Sequence, residues 1–186
     1  MKIINIYTDG ACSGNQNESN VGGWGAILEY KEHKKTLYGG EENTTNNRME
    51  MKALLEALKS LKKNNLILNV FSDSSYLIEC FTKKWYIKWQ QNGWITSSKK
   101  PVENKELWEA LLEQVSRQKE IHFYRVKGHL NLNKKTEIDK WYEKFKSWNG
   151  NHFSLEDFIY ITKMNIEADA LANKGIDQIR EKTLES

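Results

Sequence analysis

Four acidic side chains lie at predicted strand ends or inward helix faces, where together they could bind metal ions. Asp9 and Asp73 each follow an apolar run, Glu50 borders the apolar face of a predicted helix, and a fourth acid lies near the C-terminus. An unpaired carboxylate beside a buried face is costly, so a cation is the expected partner. Separated carboxylates suit Mg²⁺ or Mn²⁺, and two such ions about 4 Å apart can stabilise both the attacking and the leaving oxygen of a phosphoryl displacement.

Asp9 allows two interpretations. Asp-Gly between apolar runs is a strong hairpin signal, so Asp9 and Gly10 could form a turn. Alternatively, Asp9 ends a strand over residues 3–8 and holds its carboxylate at the edge of a sheet. The neighbouring residues alone favour the turn, whereas partnership with the other acids favours a metal ligand.

The elements that must position these acids follow from hydrophobic periodicity. Runs rich in β-branched and aromatic residues predict five strands, and apolar residues at three- and four-residue steps predict the helices between them. The predicted order is β-β-β-α-β-α-α-β-α, which indicates a mixed sheet covered by helices. A crossover after the first helix makes the fourth strand parallel to the first, so Asp9 and Asp73 should share one edge of the sheet.

Composition narrows the class of protein. The chain has 186 residues, of which 39% are apolar and 28% charged, as expected for one globular domain. The net charge is +3 and only four of the basic residues are Arg, which favours contact with a nucleic-acid backbone over base reading. Two isolated cysteines and the lack of a long apolar segment predict a cytoplasmic protein that does not enter a membrane.

Five motifs occur in an order that resembles one enzyme family. They are YTDGACSGN, TTNNRMEMKALLEAL, FSDSSY, VKGH and NIEADALANKG, and together they resemble type 1 ribonuclease H over residues 1–130 and about 165–175. The resemblance implies an α/β fold with a mixed five-stranded sheet and helices on both faces. It also implies an endonuclease that cuts the RNA strand of RNA/DNA hybrids with two Mg²⁺ ions, for which Mn²⁺ can substitute.

The resemblance assigns roles to individual residues. The metal ligands would be Asp9, Glu50, Asp73 and Asp169, and His129 would assist proton transfer or product departure. The predicted contacts to the hybrid in these motifs are Gly10, Asn15, Thr45, Asn46, Asn47 and Ser75. Ser75 stands where many relatives carry Gln, which shortens its reach toward a base. Turn formation or helix capping is the alternative role for Thr45 and its Asn neighbours.

The fourth acid requires a choice between two residues. Spacing from His129 in compact relatives selects Asp139, whereas the motif around Asp169 selects Asp169. We favour Asp169, which implies an insertion at 131–162 within a single domain spanning 1–186. The aromatic residues of this insertion predict two added helices packed on the domain; a partner-binding surface or an extension of the hybrid groove is the alternative.

Residues 83–105 resemble the basic protrusion with which the family grips the DNA strand. Six lysines and one glutamate give this segment a net charge of +5. We predict that its indoles pack against deoxyribose and its lysines meet phosphates; the residues concerned are Trp85, Lys88, Trp89, Lys99 and Lys100. The alternative is that the tryptophans only form a small satellite core.

Three functions remain distinguishable. The favoured one is hydrolysis of hybrid RNA to 5′-phosphate and 3′-hydroxyl ends by a monomeric enzyme. A DNA nuclease of the same superfamily would share the acids but lack TTNNRME and the protrusion. A hybrid-binding module without catalysis would not need all four carboxylates.

Overall fold

A computed structural model describes residues 2–14 and 20–185. Their five strands form one mixed sheet in the order β3-β2-β1-β4-β5. The strands are β1 (Ile3–Ser13), β2 (Val21–Tyr30), β3 (His33–Glu42), β4 (Ile67–Ser72) and β5 (Glu120–Arg125). The first three form an antiparallel meander, while β4 and β5 run parallel to β1. The predicted fold class is confirmed, with helices on both faces.

Strand β1 is longer than predicted, and this excludes a turn at Asp9-Gly10. Asp9 pairs with Gly25 and Gly10 with Trp24, so both lie inside the antiparallel β1–β2 ladder. The parallel ladder between β1 and β4 ends earlier, at the pair of Thr8 and Ser72. The sequence prediction of a strand ending at residue 8 was therefore wrong for β1 itself, because β2 continues to pair with the chain as far as Ser13.

The helices of the described chain are α1 (Asn46–Lys59), α2 (Ser75–Thr82), α3 (Trp85–Gln91), α4 (Lys105–Ser116), α5 (Lys135–Asn149) and α6 (Leu155–Glu185). Helix α6 begins at a capping box, where Ser154 Oγ accepts from the Asp157 amide and the Asp157 carboxylate accepts from the Ser154 amide. It continues for 31 residues without a break. The second helix expected in the 131–162 segment is therefore the first part of the final helix.

Two apolar cores lie on opposite faces of the sheet. Successive residues of β1 alternate between them: Ile6 packs with α1, α2 and α4, and Tyr7 packs with α5 and α6. Phe145 of α5 and Phe158 of α6 are almost fully buried in the second core. The sheet edge at the end of β4 is thereby held between two helical layers.

Candidate active site

Asp9 and Asp73 meet at one edge of the sheet. Each directly follows the last parallel pair between β1 and β4, formed by Thr8 and Ser72. Neighbouring parallel strands end side by side, so the two carboxylates project from adjacent positions. This is the arrangement that the predicted crossover required.

Glu50 comes from the other side, on helix α1. Thr45 is the N-cap of this helix, where its Oγ accepts a hydrogen bond from the Arg48 amide, and the helix packs closely against β1. A Cβ atom at Gly10 would lie 2.5 Å from the Glu50 backbone nitrogen, so a side chain at Gly10 would push α1 away. Gly10 therefore keeps Glu50 beside Asp9. Its contact with a hybrid stays a prediction.

The three carboxylates form a compact cluster. One oxygen of each of Asp9, Glu50 and Asp73 lies within 4.8 Å of the others. Asp9 is 3% exposed and Glu50 7%, and Glu50 Oε2 has no hydrogen-bond partner among the described residues. A buried carboxylate oxygen without a donor is expensive, and carboxylate oxygens are the ligands that divalent cations of the Mg²⁺ type prefer. The donor set fits such an ion.

Burial raises the pKa of all three acids, and repulsion within the cluster adds to the rise for Asp9 and Glu50. Desolvation is the main cause of the raised pKa of Asp9, followed by the charges of Glu50 and Asp73. Desolvation and the charge of Asp73 likewise raise the pKa of Glu50. Desolvation raises the pKa of Asp73 too, although hydrogen bonding to Asp9 and the charge of His129 oppose the rise. A bound cation would remove this cost by favouring the ionised forms.

Asp169 lies next to this cluster and Asp139 does not contribute to it. Asp169 is half-buried on α6 and adds to the raised pKa values of Asp9 and Asp73, although desolvation is the larger cause in both. Asp139 is exposed on α5. The geometry supports Asp169 as the fourth ligand, and the assignment stays a prediction. Asn173 was not predicted from the sequence. Its side chain donates to the Asp169 backbone oxygen at 3.0 Å. The signal that could have indicated it is its position four residues after Asp169, about one helical turn away.

His129 occupies a turn directly beside the cluster. It has a φ of 57°, is exposed, and follows Gly128. A side chain at Gly128 would collide with the Asp73 carboxylate, so the loop passes immediately over the acid. The role of His129 in proton transfer or product departure stays a prediction.

The other predicted contacts of the motifs, where described, lie on the surface at the starts of two helices. Thr45, Asn46 and Asn47 are exposed at the start of α1, and Ser75 is exposed at the start of α2, where Ser74 is the N-cap. Thr45 thus has the capping role that was the alternative for it. Asn15 lies outside the described residues. Binding of the hybrid by the described residues stays a prediction.

The tryptophans of the protrusion pack against the first core, and their contact with deoxyribose stays a prediction. Trp89 lies between Trp85, Trp94 and the fully buried Trp108, with ring centroids 6.4, 6.2 and 5.6 Å away. The indoles therefore pack against the first core and do not form the separate small satellite core of the alternative interpretation. Trp85 and Trp89 remain half-buried, and Lys88, Lys99 and Lys100 are exposed. The same segment can therefore pack inward and still meet a strand outside.

None of the helices in residues 2–14 and 20–185 is both long and apolar enough to cross a lipid bilayer.

Comparison with known proteins identifies the family. The family model for RNase H matches residues 1–145. Ribonuclease H of Caldanaerobacter subterraneus subsp. tengcongensis is 56% identical over 128 residues, which are 69% of this chain and 80% of that protein. Ribonuclease H of Symbiobacterium thermophilum is 45% identical over 140 residues, 75% of this chain and 92% of the relative.

Solved structures agree on the fold. LC9-RNase H1, described as a type 1 RNase H with the type 2 active-site motif, has a TM-score of 0.62 at 23% identity, with 88% of this chain and 85% of that chain covered. LC11-RNase H1 in complex with an RNA/DNA hybrid has a TM-score of 0.54 at 21% identity, covering 95% and 98%. The extent of the family match, the identities and the shared fold lead to one conclusion: the chain belongs to the ribonuclease H family of endoribonucleases.

Proposed function

We propose that the chain hydrolyses the RNA strand of RNA/DNA hybrids with two divalent ions, Mg²⁺ or Mn²⁺, and leaves 5′-phosphate and 3′-hydroxyl ends. The supporting observation is the buried carboxylate cluster, in which the unpartnered Glu50 Oε2 requires a cation. Bound there, two such ions would lower the pKa of a water molecule and would stabilise the departing 3′ oxygen. Asp9, Glu50, Asp73 and Asp169 would hold them.

Other roles in the proposed reaction belong to the protein's own residues: positioning the acids, moving a proton and distinguishing RNA from DNA. Helix α1 and strand β1 fix Asp9 and Glu50 rigidly, so the acids need little rearrangement when the substrate arrives. His129, exposed over Asp73, moves a proton toward or away from the reacting oxygens. Discrimination between RNA and DNA relies on the 2′-hydroxyl, which the polar side chains near Asn46 and the region of Asn15 read.

The proposed cellular setting is the cytoplasm, where the chain would work as a monomer. Cys12 and Cys80 are both free thiols, which is compatible with a reducing compartment.

A cleavage assay tests the function directly. Uniform RNA/DNA hybrid, duplex DNA and duplex RNA are incubated with Mg²⁺ and, separately, with EDTA. We expect cleavage of the hybrid alone, only with the metal, and ends that a polymerase can extend from the 3′-hydroxyl. Cleavage of duplex DNA would favour the DNA nuclease, and hybrid binding without cleavage would favour the binding module.

The variant Asp9→Asn tests whether the cleavage depends on the carboxylate cluster. The change should not lower the unfolding temperature in EDTA, because it replaces a buried acid, whose ionised form is disfavoured by desolvation and by its acidic neighbours, with a neutral side chain of similar size. The same variant should lose hybrid cleavage. Retained cleavage in a folded variant would contradict the assignment of Asp9 as a ligand.

A further inference from the structure

A second cluster of cations and indoles lies on the opposite side of the carboxylates from the protrusion. We call it the α5 patch and define it by Arg125, Lys127, Lys140, Trp141 and Trp148. The Arg125 guanidinium lies 4.1 Å from the Trp148 ring centroid. The ammonium groups of Lys127 and Lys140 lie 4.9 and 5.2 Å from the Trp141 centroid, and the two indoles are 6.2 Å apart.

The three cations of the α5 patch lack carboxylate partners. Within residues 2–14 and 20–185, none of Arg125, Lys127 and Lys140 forms an ion pair. Among the residues that the structure describes, the acid bound to the patch is Glu137, which accepts a hydrogen bond from Trp141 Nε1 at 3.1 Å. Three positive charges and one negative charge leave the patch with an excess of two, available to an anion.

The α5 patch is continuous with the candidate active site. Arg125 pairs with Ser72, the residue before Asp73, in the β4–β5 ladder. Lys127 precedes Gly128, which passes over the Asp73 carboxylate. The Asn149 side chain accepts from the Arg125 amide at 2.9 Å and donates to the Arg125 carbonyl at 2.8 Å, which ties the end of α5 to β5. The patch is therefore fixed relative to the acids.

We propose that the α5 patch binds backbone phosphates of the RNA strand just beyond the strand's contact with the carboxylate cluster. The inference rests on the proposed function, because that function brings the RNA strand to Asp73. A polyanion that passes Asp73 along this edge next meets Lys127 and then Lys140, whose charges match phosphates spaced along a strand. The protrusion packs on the other face of the sheet, where Trp85 and Trp89 pack against the first core. A single point of one nucleic-acid strand therefore cannot contact both the protrusion and the α5 patch.

The indoles hold the cations in place for this contact. A lysine over an aromatic face is attracted to the ring and samples fewer positions than a free lysine. Binding then costs less side-chain entropy, because part of the ordering has already occurred. The aromatic rings therefore assist phosphate binding indirectly: the cations cover their faces, and the rings hold those cations in position.

The experiment uses an RNA/DNA hybrid with a fixed cutting position. Its RNA strand carries 2′-O-methyl groups except for a short central run of ribonucleotides, and single methylphosphonates neutralise one linkage at a time on either side of that run. Binding is measured in EDTA with the full chain, and cleavage of the central run with Mg²⁺. The variant is Lys127→Gln/Lys140→Gln. The matched control is Lys62→Gln/Lys63→Gln, an equal charge change at exposed lysines beyond the opposite end of β4.

For the natural chain and the control variant, we expect neutral linkages on one side of the run to weaken binding several-fold. In Lys127→Gln/Lys140→Gln the same linkages should have no effect, and the slope of log affinity against log salt should fall by about 0.9 for each phosphate that the variant no longer neutralises. Thermal unfolding checks that each variant folds. An unchanged linkage profile and salt slope in the folded variant would overturn the proposal. Failure of the natural chain to cut the central run would instead reject the proposed function.

Discussion

The protrusion and the α5 patch are both rich in tryptophan and lysine, yet they are held in opposite ways. Helix α3 has seven residues and buries none of them fully. Four residues of the protrusion have left-handed φ values between 56° and 62°, namely Lys84, Trp94, Lys99 and Asn104. Helix α5 has 15 residues and inserts Phe145 into the second core at 1% exposure. Local turns shape the first region, and burial fixes the second.

The difference extends to the cations. In the protrusion, Lys83 and Lys105 lie 5.9 Å from the rings of Trp85 and Trp94. In the α5 patch the corresponding distances are 4.1 to 5.2 Å. Non-glycine residues in the left-handed region cost on the order of 1 kcal/mol each, so the protrusion gives up stability for its shape. We infer that the protrusion adapts to a bound strand, whereas the α5 patch presents a preformed surface.

The largest expected effect concerns two acids on the helices that cover the second core, one on α6 and one on α5. Asp169→Asn on α6 should lower hybrid cleavage at least about 100-fold, since even the outer-shell partners of metal ligands cost about 10–100-fold when changed. Asp139→Asn on α5 should leave cleavage within about twofold, because the side chain is exposed away from the cluster. Steady-state cleavage with Mg²⁺ measures both. The reverse pattern would make Asp139 the fourth ligand and α5 part of the active site.

A second comparison tests how firmly each region is anchored. Phe145→Ala should lower the free energy of unfolding by about 3–5 kcal/mol, the usual cost of removing a buried aromatic ring. Phe145 contacts Phe153 and Phe158 at 5.3 and 5.2 Å between centroids. Trp85→Ala removes a half-buried ring from the protrusion and should cost less than half as much. Urea unfolding followed by far-ultraviolet circular dichroism measures both, and equal destabilisation by the two substitutions would contradict a difference in anchoring.

The carboxylate edge could be predicted from the sequence, and the physical reason is local. Each acid follows or borders an apolar segment whose type is clear, and a parallel crossover brings Asp9 and Asp73 to one edge. The length of β1 could not be predicted in the same way, because Asp-Gly carries a turn signal that only pairing with β2 overrides. Gly10 is explained by α1, which approaches from 40 residues further along the chain.

The α5 patch shows a different limit of sequence reasoning. Its indoles come from α5, but Arg125 and Lys127 come from the end of β5, and no spacing in the sequence links them. Helix α6 shows another limit. The family motif suggests a boundary at residue 162, whereas the helix starts at the capping box of Ser154 and Asp157. The capping motif therefore predicts the start of this helix better than the family motif does.

A third prediction concerns the exposed lysines of the protrusion. Lys99→Gln/Lys100→Gln should reduce the salt slope of hybrid binding by about 0.9 for each phosphate that these lysines neutralise in the natural chain. Both lysines lie in a tight loop closed by the Ile95–Pro101 bridge, so the substitutions should leave the loop intact. The neutral linkages that no longer weaken binding in this variant should lie on the DNA strand. For Lys127→Gln/Lys140→Gln the corresponding linkages should lie on the RNA strand. Titration of binding against salt measures the slope, and an unchanged slope would remove the protrusion from the interface.

The smallest expected effect concerns an ion network that supports the protrusion side. Glu41 accepts from Arg48 at 2.7 Å and from Lys52 at 3.0 Å, and Arg48 also pairs with Glu106 at the start of α4. Burial alone would raise the pKa of Glu41, but the hydrogen bonds from Thr44, Lys52 and Arg48 outweigh it and lower the pKa. The α5 helix has instead the pair of the half-buried Lys146 and the exposed Glu143.

A carboxylate with a lowered pKa stabilises the fold above its unfolded pKa, near 4.3 for glutamate, and that stability is lost as the pH falls through the folded value. Between about pH 5 and 3, the natural chain should therefore lose on the order of 1 kcal/mol more of its unfolding free energy than Glu41→Gln loses. The matched control is Glu143→Gln, which removes one exposed carboxylate from an ion pair on α5. Urea midpoints measured across this pH range decide the point. Parallel pH curves for the natural chain and Glu41→Gln would show that the network does not support the protrusion side electrostatically.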